Sequence, residues 1–307
     1  MNGIINVYKE KGFTSHDVVA KLRGILHQKK IGHTGTLDPE AEGVLPVCVG
    51  NATKVCDLLT DKSKEYETVL FLGVTTDTQD MTGRVLTVAE DLEKLYSAEY
   101  EEKLSNIIKG FEGDIMQVPP MYSALKVGGR KLYELAREGI EVERKPRPVT
   151  IHDIEILDME LPRIRMRVHC SKGTYIRTLC HDIGQKAGCG AAMESLKRTR
   201  VDRFYVNQSM KLSEIEELFK AGKQDSFLMR VDMLFEDCPA VYVKPEAVKG
   251  LMNGNCLKAG MLGKGREEIK EDTKEIRIYD PDGQFCGIYG PHPEQKGVFK
   301  PVKMFLT

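Results

Sequence analysis

Several absences narrow the reading of this chain first. No run of roughly 18 uncharged apolar residues occurs anywhere, which excludes a membrane-spanning helix. Eight cysteines are present, yet none are spaced C-x-x-C, and Cys180-His181 is an adjacent pair with no second ligand pair nearby. Neither a disulfide framework nor structural zinc is therefore expected, and the thiols fit a reducing compartment. Phosphate-loop and dinucleotide-binding glycine spacings are also missing. Met1 to Lys11 carries charges where a signal peptide needs an apolar core, and Met-Asn-Gly is not a myristoylation start, so a cytoplasmic location is expected. No repeat or low-complexity tract stands out.

What is present is an ordinary globular balance: 307 residues, 41% hydrophobic and 30% charged, with a formal net charge of −1. That is enough apolar content for one large domain and a small one, and too much for a disordered chain. The charge is unevenly spread. Basic residues crowd the segment from Arg163 to Arg203, whereas Glu90 to Glu102 is acidic. A neutral protein with one basic stretch can still bind a polyanion, because local potential governs approach; a solvated basic face is the plainer explanation.

Periodicity supplies the organisation. Val18, Val19, Leu22, Ile25 and Leu26 predict a helix over 15–28, capped by Thr14 or Ser15, and 44–49 reads as a short apolar strand. Residues 65–74 and 85–88 are expected to pair as a hairpin across the polar turn between them. Leu104, Ile107, Ile108 and Phe111 mark a helix in the acidic region. Residues 121–150 read as a basic insertion with a short helix over 132–137. Strict alternation over 163–170 predicts a strand that buries Ile164, Met166, Val168 and Cys170 and lines arginines along its other face, an arrangement that would equally suit an edge strand protected by charge. Ile176, Leu179, Cys180, Ile183 and Ala187 form the stripe of the next helix, and 213–221 reads as another. From about residue 238 the texture changes to short strands with glycine turns, so domains of 1–237 and 238–307 are expected. Without regular βαβ alternation the fold class is α+β, with a mixed, largely antiparallel sheet flanked by helices and a small β-rich C-terminal unit.

Two constellations carry chemistry. Pro39 biases Asp38 toward an extended conformation, and Gly32 and Gly35 permit a tight turn, so a carboxylate stands on a constrained loop beside His33, Thr34 and Thr36. On spacing alone an ordinary Asx turn is the plainer reading, with a reactive group as the alternative. In Lys172-Gly173-Thr174-Tyr175-Ile176-Arg177, Tyr175 and Arg177 fall at the start of a helix. There an arginine could grip a carboxylate bidentately, or simply bind phosphate.

Taken together these stretches resemble the TruB family of tRNA pseudouridine synthases. The likeness runs through Gly32-His33-Thr34-Gly35-Thr36-Leu37-Asp38-Pro39, Gly43-Val44-Leu45-Pro46, Lys64-Glu65-Tyr66, Thr76-Asp77-Thr78 with Asp80 and Gly83, Pro119-Pro120-Met121-Tyr122-Ser123-Ala124, and 171–177, in the family's order and spacing. Lys9-Glu10 departs from the frequent Lys-Pro. The resemblance covers roughly residues 3–235, and the tail is more weakly similar to a PUA-type RNA-binding domain. It implies the pseudouridine synthase fold and isomerisation of uridine 55 in the T-arm loop of tRNA, without cofactor or metal, by a monomer needing no obligate protein partner.

By the same resemblance Asp38, Tyr66 and Arg177 are the catalytic residues, and His33, Tyr66, Tyr175 and Leu196 surround the substrate base. Asp77 and Asp80 are structural hydrogen-bonders. Lys9, Arg130, Lys131, Arg165 and Arg167 are the expected RNA contacts. The ribosomal or guide-RNA-dependent branch of the same class is an alternative, as is a non-catalytic RNA-binding or chaperone protein on the same scaffold. A third reading takes Asp38 and Glu40 as the acid pair of a phosphotransferase or glycosidase.

Overall fold

The computed structural model describes residues 1–90 and 97–306; part of the acidic stretch, 91–96, lies outside them. The chain opens with strand β1 (Gly3–Lys9) and helix α1 (Ser15–Ile25). A capping box starts the helix: the Thr14 hydroxyl accepts from the Asp17 amide, and the Asp17 carboxylate accepts from the Thr14 amide. α1 stops at Ile25, short of the expected Gln28, because His27 turns to a positive φ of 50°. Strands β2 (Ile31–His33) and β3 (Glu42–Val49) flank the Asp38 loop, followed by a short α2 (Cys56–Thr60).

In β4 (Lys64–Leu72) alternate side chains are buried, as period two requires. β5 (Val74–Thr76) and β6 (Val85–Val88) form their own two-stranded sheet. The return strand thus pairs with β5 and not with β4, because Gly73, at φ 84°, turns the chain out of the large sheet. Next come α3 (Ala98–Lys109), β7 (Gly113–Gln117), a hairpin of β8 (Lys126–Val127) and β9 (Arg130–Lys131), and α4 (Leu132–Arg137). The insertion over 121–150 thus holds a hairpin and a helix anchored by buried Leu132 and Leu135.

β10 (Arg147–Glu160), β11 (Arg163–Cys170), α5 (Ile176–Ala187), β12 (Ala191–Val201), β13 (Phe204–Tyr205) and α6 (Leu212–Lys220) complete the larger unit. Nine of the described strands share one sheet in the order β1-β3-β12-β4-β11-β10-β7, with β2 on β3 and β13 on β12. Only the short β3–β12 contact is parallel among these pairs, so the sheet is mixed and largely antiparallel. α3 and α5 cover one face through Leu104, Ile108, Leu179 and Ile183, packed on Leu70, Met166 and Val168. α1 and α6 cover β1 and β3 through a second apolar cluster.

The second sheet starts with β14 (Ala240–Tyr242); α7 (Val248–Met252), β15 (Leu257–Lys258), β16 (Ile276–Tyr279), β17 (Phe285–Pro291) and β18 (Val298–Met304) follow. It has its own core around Val241, Ile278 and Tyr289. It also docks on the back of β3, where Ile288 and Phe305 join Val44, Cys48 and Leu59 in one cluster. Asn51 donates to the Leu306 carbonyl at 2.7 Å, and Lys303 reaches Asp57 at 3.0 Å. Among the described residues no helix is long and apolar enough to cross a membrane.

Candidate active site

The loop between β2 and β3 is held from several directions. The Ser15 hydroxyl, buried at the start of α1, accepts from the Leu37 amide at 2.9 Å. Thr34 donates through both its amide and its hydroxyl to the Pro46 carbonyl. The Pro39 carbonyl accepts from the Gly12 amide and from the Lys9 ammonium, each at 3.0 Å. Leu37 and Ala41 are buried in the core cluster under α5, which leaves Asp38 between them aimed at the cleft. An anchored backbone of this kind fixes a carboxylate without spending the carboxylate itself.

Asp38 meets Arg177 from the first turn of α5. The Arg177 Nε lies 2.8 Å from Oδ2 and its Nη2 3.3 Å from Oδ1, a two-pronged grip. The remaining guanidinium donors go to the Thr78 carbonyl at 2.9 Å and the Tyr122 carbonyl at 2.8 Å. Asp80 stands 3.8 Å away on the same Nε. Arg177 is 5% exposed and Asp38 38%, so the cation is dry and locked while one side of the anion faces open space. Asp80 is fixed in turn, its Oδ1 accepting from the hydroxyls of Thr78 and Thr82, and Asp77 accepts from the Arg84 amide. Gly83 belongs to this turn because a Cβ there would sit 2.2 Å from the Thr78 hydroxyl.

Tyr66 and Leu196 form the apolar floor. Both are buried, on β4 and β12, in the cluster that also holds Leu37 and Ile176. Burial pushes the Tyr66 phenol up, with the Arg198 guanidinium pulling the other way. Tyr175 caps α5, its amide donating to Gln117 Oε1 at 2.8 Å; burial raises its phenol as well. His33, half-buried beside His16 at 5.4 Å between ring centroids, is held below its ordinary value by desolvation, which favours the neutral ring. The structure therefore gathers Asp38, Arg177, Tyr66, Tyr175 and Leu196 around the core under the start of α5, with His33 at the entrance to the Asp38 loop.

The expected RNA contacts fare differently. Lys9 is fully buried, and its ammonium donates to the carbonyls of Pro39 and Glu10. It is a brace under the Asp38 loop and is withdrawn as an RNA contact, since a buried ammonium cannot meet a phosphate. Arg165 and Arg167 lie on the sheet face opposite Tyr66, and Arg167 is paired with Glu67 at 2.9 Å and Glu155 at 2.6 Å. Arg163 is similarly forked onto Glu194. Their place on the face away from the cleft, for Arg165 and Arg167 alike, together with the pairing of Arg167, corrects the expectation that this arginine row holds RNA beside the site. Arg130, ion-paired with Glu138, and Lys131, at 3.2 Å from the Tyr133 hydroxyl, lie on the hairpin of the insertion.

One site residue escaped the reading of the sequence. Arg198, 1% exposed, sits directly across from Tyr66 in the β4–β12 register and donates to the carbonyls of Val44 at 2.7 Å and Gly35 at 3.3 Å. Gly43, at φ 108°, makes room for it: a Cβ there would lie 2.2 Å from the Arg198 carbonyl. The available signal was alternation, because Arg198 is two positions beyond Leu196 and must share its face once the segment is a strand.

Residues 23–176 match the family described as TruB family pseudouridylate synthase (N terminal domain), and 177–235 match tRNA pseudouridylate synthase B C-terminal domain. A protein of Lachnoclostridium phytofermentans named tRNA pseudouridine synthase B is 56% identical, over 100% of both chains. One of the same name from Clostridium tetani is 51% identical, again over 100% of both. Among solved structures, the chain resembles one in an H/ACA RNP bound to a substrate RNA containing 2′-deoxyuridine, at 27% identity and a TM-score of 0.69, covering 99% of this chain and 85% of that one. A Cbf5-Nop10-Gar1 complex gives 29% identity and the same score and coverage. Fold and site thus define an isomerase of the pseudouridine synthase class. Within that class the chain belongs to the TruB family of pseudouridylate synthases.

Proposed function

We propose that this enzyme isomerises uridine 55 in the T-arm loop of tRNA to pseudouridine, with Asp38 as the reacting carboxylate. The observation that carries the reading is the partly open Asp38 carboxylate, gripped by the dry Arg177 guanidinium above an apolar floor of Tyr66 and Leu196. The reaction breaks the N1–C1′ bond, turns the uracil and forms C5–C1′; the proton lost from C5 is matched by one gained at the freed N1, so atoms balance with no added reagent. Arg177 compensates the negative charge that Asp38 brings into a mostly dry cleft. Tyr66 stacks on the base and handles a proton, while Leu196, Tyr175 and His33 bound and orient the nucleotide.

The target base must leave its stack to reach this depth, at a cost of about a few kcal/mol. Contacts from the hairpin cations Arg130 and Lys131 and from the C-terminal unit, 238–307, acting as a PUA-like RNA-binding module, offset that cost. The enzyme works as a cytoplasmic monomer without an obligate protein partner. The tRNA substrate is favoured over a guide-directed one because the relatives named tRNA pseudouridine synthase B reach 56% identity, against 29% for the Cbf5 complex.

The test is single-turnover conversion of unmodified tRNA by the purified chain alone, with the product located by carbodiimide-dependent reverse-transcription stops. A single new stop at position 55 is expected. Conversion at another site, or none without added proteins, would overturn the reading.

A further inference from the structure

Arg198 is among the largest fully buried side chains of the molecule, and among the described residues it has no ion-pair partner. A dry guanidinium without a carboxylate is costly, so its remaining contacts show what it is kept for. They come from three directions: the Gly35 carbonyl in the Asp38 loop and the Val44 carbonyl in β3, both of which accept from it, and Tyr66 in β4, which lies directly opposite in the strand register and is the titratable group facing it. Gly43 gives up its side chain so that β12 can approach closely enough for this convergence.

We infer that Arg198 is a positioning residue for Tyr66, its buried guanidinium set beside the phenol across the β4–β12 register while it braces the Asp38 loop through Gly35. The two groups assigned to the chemistry would then hang on one guanidinium. The inference rests on the proposed reading of Tyr66 as a proton-handling group at the base. The electrostatic setting agrees with it. Burial drives the Tyr66 phenol up, and Cys170 from β11 and Asp38 from the loop push in the same direction; Arg198 opposes all three. Lys9 and Lys64, buried nearby, feel the same positive charge and are themselves turned to backbone carbonyls. Arg198 is thus the cation committed to the phenol, and its removal would leave Tyr66 harder to ionise, with less phenolate present to take a proton.

The experiment compares Arg198→Gln and Arg198→Lys, each in the wild-type and in the Tyr66→Phe background, by single-turnover conversion across pH and by filter binding of the same tRNA. Arg198→Gln is expected to slow conversion about 30-fold while affinity stays within about two-fold, and to move the rising limb of the pH profile to higher pH. In the Tyr66→Phe background the same substitution should cost little more, since residues acting as a unit are strongly non-additive. Arg198→Lys keeps the charge without the planar fork and should fall between. If Arg198→Gln does not fold, Arg198→Lys in the two backgrounds carries the same comparison. Equal losses with and without the Tyr66 hydroxyl, or an unmoved pH profile, would make Arg198 plain scaffolding and overturn the inference. The proposed function would survive that result, whereas a wild-type enzyme that makes no pseudouridine would end both.

Discussion

The two faces of the central sheet use arginine in opposite ways. On the back, Arg163 and Arg167 are 55% and 38% exposed and answer to glutamates of the same sheet, Arg167 on the adjacent β4 and β10 and Arg163 across β4 on β12. Such pairs are screened by water and contribute little to stability. On the front, Arg177 is 5% exposed and Arg198 is 1% exposed, and both donate largely to backbone carbonyls. There the cations have become part of the scaffold: Arg177 pins the Asp38 carboxylate, while Arg198 braces the same loop through the Gly35 carbonyl. A row of arginines in a sequence therefore says little about where a polyanion or a substrate goes. What decides is whether each guanidinium is dry, and whether its partner is another surface charge or the frame of a cleft.

The sharpest way to break this contrast is at its anion. Asp38→Asn keeps size and hydrogen-bonding capacity but removes the charge and the nucleophilicity. Conversion is expected to fall by more than about a thousand-fold while tRNA affinity stays within about three-fold, as for an interaction made only in the transition state. Single-turnover rates beside filter binding check this. Residual conversion above about a thousandth of the wild-type rate would argue against a reacting role, and parallel loss of binding would reduce Asp38 to a turn residue.

Next in size is the cation that holds it. Arg177→Ala should slow conversion by about a hundred-fold and lower stability by about 2 kcal/mol, less than a fully buried pair because Asp38 is 38% exposed. Arg163→Ala, on the back, should leave both stability and conversion close to wild type, because its ion pair is screened by water. Urea unfolding and single-turnover assays of the two variants side by side give the comparison. Similar costs for both would mean that dryness is not what separates the faces.

That separation was only partly legible from the residues. β11, α4 and α5 follow their periodicity almost to the residue. β10 and β12 were invisible to it, because each carries register shifts, at Ile151/Asp153 and Ile156/Asp158 in one and at Met193/Ser195 and Arg198/Arg200 in the other. A bulge flips the alternation on which a period-two reading depends. Missing β12 meant missing Arg198, although Leu196 on the same face was singled out through family resemblance. The pairing of Asp38 with Arg177 spans 139 positions and followed from motifs rather than from local pattern. Lys9 was misread for the opposite reason: a lysine ending a strand is ordinarily a surface cation, and nothing local reveals that Pro39 will place a carbonyl over it. The mispaired β6 shows the same limit, since where the chain leaves a sheet depends on one glycine conformation at Gly73.

A smaller effect should distinguish the hairpin of the insertion from the back of the sheet. Arg130→Ala and Lys131→Ala should each reduce the slope of log affinity against log salt by about 0.7 to 0.9 if each cation meets one phosphate. Arg165→Ala and Arg167→Ala should leave the slope unchanged. Binding titrations at several salt concentrations decide it. A loss of slope from the back-face variants alone would place the RNA on the face assigned here to internal pairing.

The smallest expected change concerns Lys9, the front-face cation that was mistaken for a surface one. Burial lowers its ammonium to about 8, with Asp38 and Glu40 pulling weakly the other way. In the unfolded chain the same group titrates near 10.5. Between those two values the unfolded state holds more protons than the folded one, so stability contributed at this site rises with pH across the window, and below about 8 the folded protein carries the desolvation penalty in full. Lys64, lowered to about 8 by its own burial, adds to the same trend, so the wild-type curve alone cannot isolate Lys9. The difference between wild type and Lys9→Met can, because Lys64 is common to both. Wild type should gain on the variant by on the order of 1 kcal/mol as pH rises through this window, measured by thermal unfolding at fixed ionic strength. The ammonium and the amine can both donate to the Pro39 carbonyl, so the loop should keep its brace throughout. A difference that stays flat with pH would mean that Lys9 is solvated in solution, and would return it to the surface cations with which it was first grouped.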